Sequence, residues 1–244
     1  MTAYHGGKQK IGKKIAKIIY EESEDIEEDE DFIIKGYCEP FCGMLGVYQH
    51  IPELFKNYKP KLKYKAGDTN KSVIMMWKEA KKGCKPPVKL VTKTKFMKMK
   101  SDGKSSAEKG YVGHYYGYMG KYFQPFDDRH SLSSRQRSSE NVSTIGTKMK
   151  NVKFSAGSYE KFSNLSGYII YCDPPYQKQS HYYTEYGKHI ESFDHNKFWS
   201  WCRRMSENNI IFLSEYNAPK DFEKIWTKNS RTTGKNMKEN LYIL

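Results

Sequence analysis

The stretch Gly167-Tyr168-Ile169-Ile170-Tyr171-Cys172-Asp173-Pro174-Pro175-Tyr176 limits the possible folds more than any other. Residues 168–172 alternate little and are rich in Ile and Tyr, which predicts a buried strand. Proline cannot donate to a sheet ladder, so the strand must stop at the acid and the chain must leave as a stiff loop. Open α/β sheets gather their ligands outside the carboxyl ends of such strands. An acid, two prolines and an aromatic at that place mark a candidate site.

The residue types suit one kind of chemistry. An exocyclic amine on a nucleobase is a poor nucleophile because its lone pair is delocalised into the ring. Hydrogen bonds from the amine to the Asp173 carboxylate and the Pro174 carbonyl would favour a pyramidal nitrogen and free that pair. Tyr176 could stack on the base, and Pro175 would stiffen the loop that holds both acceptors. The competing reading is an ordinary strand exit with an exposed acid and a packed tyrosine. A short motif of this kind is decided by its context.

The context comes from the rest of the chain. Tyr4-His5-Gly6-Gly7-Lys8 precedes a basic amphipathic helix over residues 11–20, with Ile11, Ile15, Ile18 and Ile19 on one stripe. The acidic run 21–31 reads as a solvated loop or helix end. A strand beginning near Phe32 leads into Glu39-Pro40-Phe41-Cys42-Gly43, the pattern of a first βα unit in a nucleotide-binding sheet. Gly43 would let the backbone pass close to a ligand, and Glu39 could meet an ammonium. A second strand, residues 62–66, runs into Gly67-Asp68-Thr69-Asn70 and a helix through Trp77. Asp68 stands where such sheets grip ribose hydroxyls, but an Asp there could equally cap the helix.

The formal charge is +14, which points to a polyanionic partner, most simply nucleic acid. No apolar run is long enough for a membrane span and no signal-peptide core opens the chain, so a soluble, cytoplasmic location (or wherever the genome is replicated) is expected. The five cysteines are scattered without finger-like spacing, and they read as reduced and mostly buried, with no metal expected.

Taken together, Tyr4-His5-Gly6-Gly7-Lys8, Glu39-Pro40-Phe41-x-Gly43, Gly67-Asp68-x-Asn70 and Asp173-Pro174-Pro175-Tyr176 stand in an order that resembles the Dam-type (alpha-group) DNA adenine-N6 methyltransferases. Residues 193–202, 210–214 and 231–244 are similar to that family's next helix, strand and terminal hairpin. The resemblance implies an α/β fold, a Rossmann-like seven-stranded methyltransferase sheet with an inserted, mainly helical target-recognition domain. It implies a catalytic domain of residues 1–78 and 165–244 and a recognition domain of residues 79–164. It also implies S-adenosyl-L-methionine as cofactor, against Tyr4, Lys8, Glu39, Phe41, Gly43, Asp68, Ser158 and Asp173. Residues 173–176 would hold a flipped adenine in double-stranded DNA. The family usually writes Phe-x-Gly-x-Gly after Glu-Pro, whereas this chain places Leu45 at the second glycine and has Gly46 after it.

The middle segment is lysine-laced over 89–104, rich in Gly and Tyr over 110–126, and rich in Ser and Arg over 129–137. Residues 111–123 occupy the place of the family's Arg-Tyr-Gly-Tyr-Asn-Gly segment and could form a turn at the flipped site, although several of these tyrosines suit core packing. Lys121, Arg135 and Arg137 are the candidate DNA contacts, the arginines because guanidinium reaches guanine bidentately. Residues 177–191, with His181, Tyr182, Tyr183 and Tyr186, could close over the base or form an ordinary surface loop. N4-cytosine methylation, RNA adenine methylation and a non-catalytic DNA-binding module remain as alternatives. A four-base site such as GATC, and a restriction endonuclease acting on the same site, follow from the resemblance alone.

Overall fold

The computed structural model describes residues 7–30, 32–176, 193–232 and 235–244. Tyr4 and the segment 177–191 lie outside the described residues. Seven strands form one sheet in the order β3-β2-β1-β4-β5-β7-β6. They are β1 (Gly36–Glu39), β2 (Lys63–Asp68), β3 (Val152–Ala156), β4 (Tyr168–Cys172), β5 (Ile210–Glu215), β6 (Glu223–Thr232) and β7 (Lys235–Ile243). The first five run parallel, and β7 enters antiparallel between β5 and β6. The sheet is the Rossmann-like one the sequence implies.

β4 shows why residues 168–172 are almost wholly apolar. Ile169 and Tyr171 pack into the larger core, with Ile15 and Ile19 of helix α1 (Gly12–Glu30) and Trp77 of helix α3 (Lys71–Ala80). Tyr168, Ile170 and Cys172 face the opposite core, with Phe198, Trp201 and Cys202 of helix α7 (His195–Ser206). Side chains still alternate, but both faces are buried, as parallel strands covered by helices require.

The first helix is longer than the hydrophobic stripe suggests. It runs through the acidic segment to Glu30 because those acids find partners: Tyr20 donates to Glu24 one turn on, and Tyr58 donates to Glu27. A short helix α2 (Ile51–Leu54) connects β1 to β2. Between α3 and β3 lie α4 (Lys93–Ser101), α5 (Ala107–Tyr115) and α6 (Leu132–Lys148). Of these, α5 and α6 dock on α3 through glycine: a Cβ on Gly110 would stand 2.3 Å from the Ser72 carbonyl oxygen, and one on Gly146 would stand 2.5 Å from Ala80.

The expected recognition range, 79–164, takes in one strand of the central sheet. β3 pairs in register with β2 from Tyr64↔Val152 to Asp68↔Ala156, so it belongs to the central sheet. The 3-10 turn Tyr159–Phe162 packs with the α7 core and lays the Phe162 ring over Gly67. The inserted segment therefore lies within residues 81–151.

Candidate active site

In this sheet the strand order reverses between β1 and β4, and the crevice at their carboxyl ends is the natural ligand site. Glu39 ends β1 and Phe41 follows it, Asp68 ends β2, Ser158 follows β3 and Asp173 follows β4. The topology thus brings together residues that the sequence separates by more than half its length.

Asp173 is the centre of a compact charged group. Lys8 Nζ lies 2.7 Å from Asp173 Oδ1 and 3.3 Å from Glu239 Oε1, with the lysine side chain only 6% exposed. Tyr176 donates its hydroxyl to the same Glu239 oxygen, and Lys8 Nζ also stands 4.9 Å from the centre of the Tyr176 ring. The Tyr176 ring meets Tyr216 edge-on, with centroids 4.6 Å apart. Burial pushes the Asp173 carboxyl above its usual range; the Lys8 ammonium opposes this and Glu239 reinforces it. Burial by itself would lower the Lys8 ammonium, yet the two carboxylates outweigh it and hold the lysine above its usual value. Glu239 had no assigned role in the sequence, because only folding sets β7 against β5 and so brings Glu239 to the carboxyl end of β4.

The loop behind the acid is pinned from α7. Asp194 caps that helix, and its first residue, His195, places Nε2 2.9 Å from the Pro175 carbonyl oxygen. Next to it, Phe41 packs against Tyr159, Phe193 and Phe198 at 5.6, 5.8 and 5.5 Å between centroids. Ser158 caps the 3-10 turn that carries Tyr159.

Asp68 resolves the choice between cap and ligand contact in an unexpected way. The cap of α3 is Asn70, which accepts from the Ser72 and Val73 N–H groups at 3.1 and 3.2 Å. Asp68 instead accepts the Gly43 N–H at 3.0 Å and the Asn70 N–H at 2.8 Å, tying the β1 loop to the β2 loop. The β1 loop is tight: Gly43 sits at φ 42° and Leu45 at φ 54°. Leu45 therefore keeps the left-handed backbone expected of the glycine it replaces. Gly46 serves a different need: a Cβ there would stand 3.0 Å from the Lys8 backbone nitrogen, and one on Gly12 would stand 2.0 Å from the Gly46 carbonyl oxygen, so both glycines let the Lys8 segment pass close.

A model of the D12 class N6 adenine-specific DNA methyltransferases matches residues 111–240, which include Asp173 to Tyr176 and Glu239. The chain belongs to this family. The match also spans the second half of the insertion, while the motifs around Lys8, Glu39 and Asp68 precede it. No protein of curated function matches the chain in sequence. Among solved structures, the rRNA methyltransferase aviRa from Streptomyces viridochromogenes is similar at 10% identity, covering 95% of this chain and 84% of that one, with a TM-score of 0.41. Magnesium protoporphyrin IX methyltransferase (ChlM) from Synechocystis PCC 6803 with bound SAM is similar at 10% identity over 96% and 80%, with a TM-score of 0.33. Likenesses this slight carry no weight for the activity.

The cofactor of a D12-class methyltransferase is S-adenosylmethionine, and the donor set of the crevice fits such a cation. Glu39 is 2% exposed and accepts the Tyr37 hydroxyl at 2.7 Å. Burial drives its carboxyl well above the usual range, with the Tyr37 hydroxyl opposing and Asp173 adding to the shift. A cationic ligand beside it would relieve that cost. Glu39 and Asp68 would hold the polar ends, and Phe41 offers an aromatic wall, while the Gly43 backbone is taken up by Asp68 and by the Trp77 indole N–H. Among the described residues no three His, Cys, Asp or Glu side chains converge as a metal site, and no helix is long and apolar enough to cross a membrane. The five cysteines carry free thiols, all buried except Cys84.

The candidate DNA contacts fare differently from one another. Arg135 spends Nε on the Val88 carbonyl at 2.8 Å and Nη1 on the His130 carbonyl at 2.5 Å. This makes it a strut within the insertion, and its fork is no longer open for a guanine edge as the sequence pattern suggests. Arg137 is exposed and Lys121 is half-buried. In the Gly/Tyr-rich stretch Tyr111, Tyr115 and Tyr116 are core residues, whereas Tyr118 and Met119 stand out at 47% and 52% exposure, Met119 at φ 55°.

Proposed function

We propose that this protein methylates the N6 amine of adenine in double-stranded DNA, using S-adenosylmethionine. The observation that carries the reading is the half-buried, lysine-paired Asp173 just past β4, followed by two prolines and set at the switch point of the sheet. A base inside a duplex cannot reach such a crevice, so the adenine must be turned out of the stack. The Asp173 carboxylate then accepts one amine hydrogen and the Pro174 carbonyl the other, drawing the nitrogen lone pair out of conjugation with the ring. Tyr176 packs on the base. When bound, the cofactor supplies an electrophilic methyl group on a sulfonium. Once the amine has gained its methyl, Asp173 is placed to take the surplus proton at a carboxylate oxygen.

The exposed Tyr118–Met119 tip suits the gap left by the extruded base, and Lys121 and Arg137 suit the adjoining phosphates. A GATC-like site is the reading by family analogy. The test is to incubate the protein with unmethylated duplex DNA and S-adenosylmethionine, digest to nucleosides and read them by mass spectrometry. N6-methyldeoxyadenosine is expected. N4-methyldeoxycytidine, or product on RNA alone, would overturn the substrate assignment. Asp173→Asn should slow turnover by roughly 10²–10⁴-fold with an unchanged circular dichroism spectrum.

A further inference from the structure

Lys8 is paired with Oδ1 of Asp173, the carboxylate that the incoming amine needs. In the structure its Nζ is 2.7 Å from that oxygen and 3.3 Å from Glu239 Oε1, so a second seat lies within a short swing. We propose that Glu239 is a positioning residue: it receives Lys8 when the target amine claims Asp173, and its hydrogen bond from Tyr176 keeps the base-stacking ring in place. This rests on the methyltransferase reading above and assigns a role to a residue of β7, a strand outside the parallel part of the sheet.

The physical case is one of charge and access. Two carboxylates share one ammonium in a site largely closed to water, where unpaired charges are costly. A lysine freed from Asp173 with no other partner would have to stay, and it would hold the acid in an ion pair that competes with the amine. Glu239 removes that conflict because its oxygen already lies within reach of both Lys8 and Tyr176. The groups facing Asp173 are Lys8 from the N-terminal segment, Glu39 at the end of β1, Tyr171 and Tyr176 around β4, Tyr216 after β5 and Glu239 on β7. Of these, Glu239 is the one that both opposes ionisation of Asp173 and pairs with its lysine.

The experiment compares wild type, Glu239→Gln and Glu239→Asp on the same duplex DNA, after wild-type turnover has established the reaction. Glu239→Gln should lower kcat by roughly 10–100-fold, with a smaller change in KM for DNA. Glu239→Asp should recover part of that loss. Independently of turnover, the Asp173 carboxyl carbon, followed by ¹³C NMR in the protein without DNA, should titrate at lower pH in Glu239→Gln. That direction follows from removing a neighbouring negative charge and leaving Lys8 wholly on Asp173. Absence of wild-type methylation would sink the methyltransferase reading and leave the titration to judge the pairing. An active Glu239→Gln with wild-type kcat, or an unmoved Asp173 titration in the folded variant, would overturn the role of Glu239.

Discussion

Leu45 shows how one side chain can answer two demands that pull apart. Its φ of 54° is a backbone glycine adopts freely and a branched residue adopts at a cost of about 1–2 kcal/mol. Its side chain is fully buried in the larger core, a placement worth roughly 2–5 kcal/mol when a Leu is truncated. Burial outweighs the strain, so Leu45→Gly should lower stability by about 1–3 kcal/mol in urea unfolding while the loop keeps its course. A stabilised variant would show that backbone strain dominates. The sequence pointed to an altered turn here, since the glycine is displaced by one residue. It did not disclose that the left-handed position stays put while Gly46 accommodates Gly12. That needs knowledge of which segment passes behind the loop. Glu239 was hidden for the same reason: it sits 63 positions beyond the Tyr176 it holds, in a polar strand whose sequence says nothing about its neighbours.

At the scale of elements, the legible parts are those whose limits are set by local chemistry. β4 ends where the prolines forbid another ladder bond, and both of its bounds agree with the residue pattern. β3 was less legible because five residues with two buried side chains resemble the end of the preceding insertion. Only pairing with β2 assigns it to the sheet. α5 contains Tyr111, Gly113 and His114, from a stretch that could either form a turn at the flipped site or pack into the core, and nearly all of it is buried. His114 has its Nδ1 3.0 Å from the Gly120 carbonyl, and burial lowers its pKa from 6.5 to about 4. The fold therefore binds fewer protons than the unfolded chain between those values. Its stability from this group is intact above pH 6.5 and drains away as pH falls toward 4, by up to roughly 3 kcal/mol. His114→Gln, which can keep the donor, should flatten that part of the stability–pH curve relative to wild type. Parallel curves for the two proteins would refute the assignment.

For the whole molecule, charge and topology govern how it meets a long polyanion. If DNA is the substrate as proposed, a net +14 should make its binding steeply dependent on salt, because each phosphate contact releases counterions. Arg137 is exposed on α6, and Arg137→Ala should weaken binding across sequences and reduce the slope of log affinity against log salt by about one. Sequence-selective weakening would instead make it a base reader. Arg135→Ala should act chiefly through folding of the insertion, since its guanidinium is committed to two carbonyls.

The order of β5, β7 and β6 also has a consequence for how the protein comes into being on the ribosome. β7 is synthesised after β6 yet lies between it and β5, so the sheet cannot zip shut in the order of translation. Lys8 emerges 165 positions before Asp173 and must wait longer still for Glu239. A polypeptide stalled within β6 would carry Asp173 and Lys8 without Glu239, and would leave the flank of β5 open to stray strands. The charged group around Asp173 is thus completed in one late step.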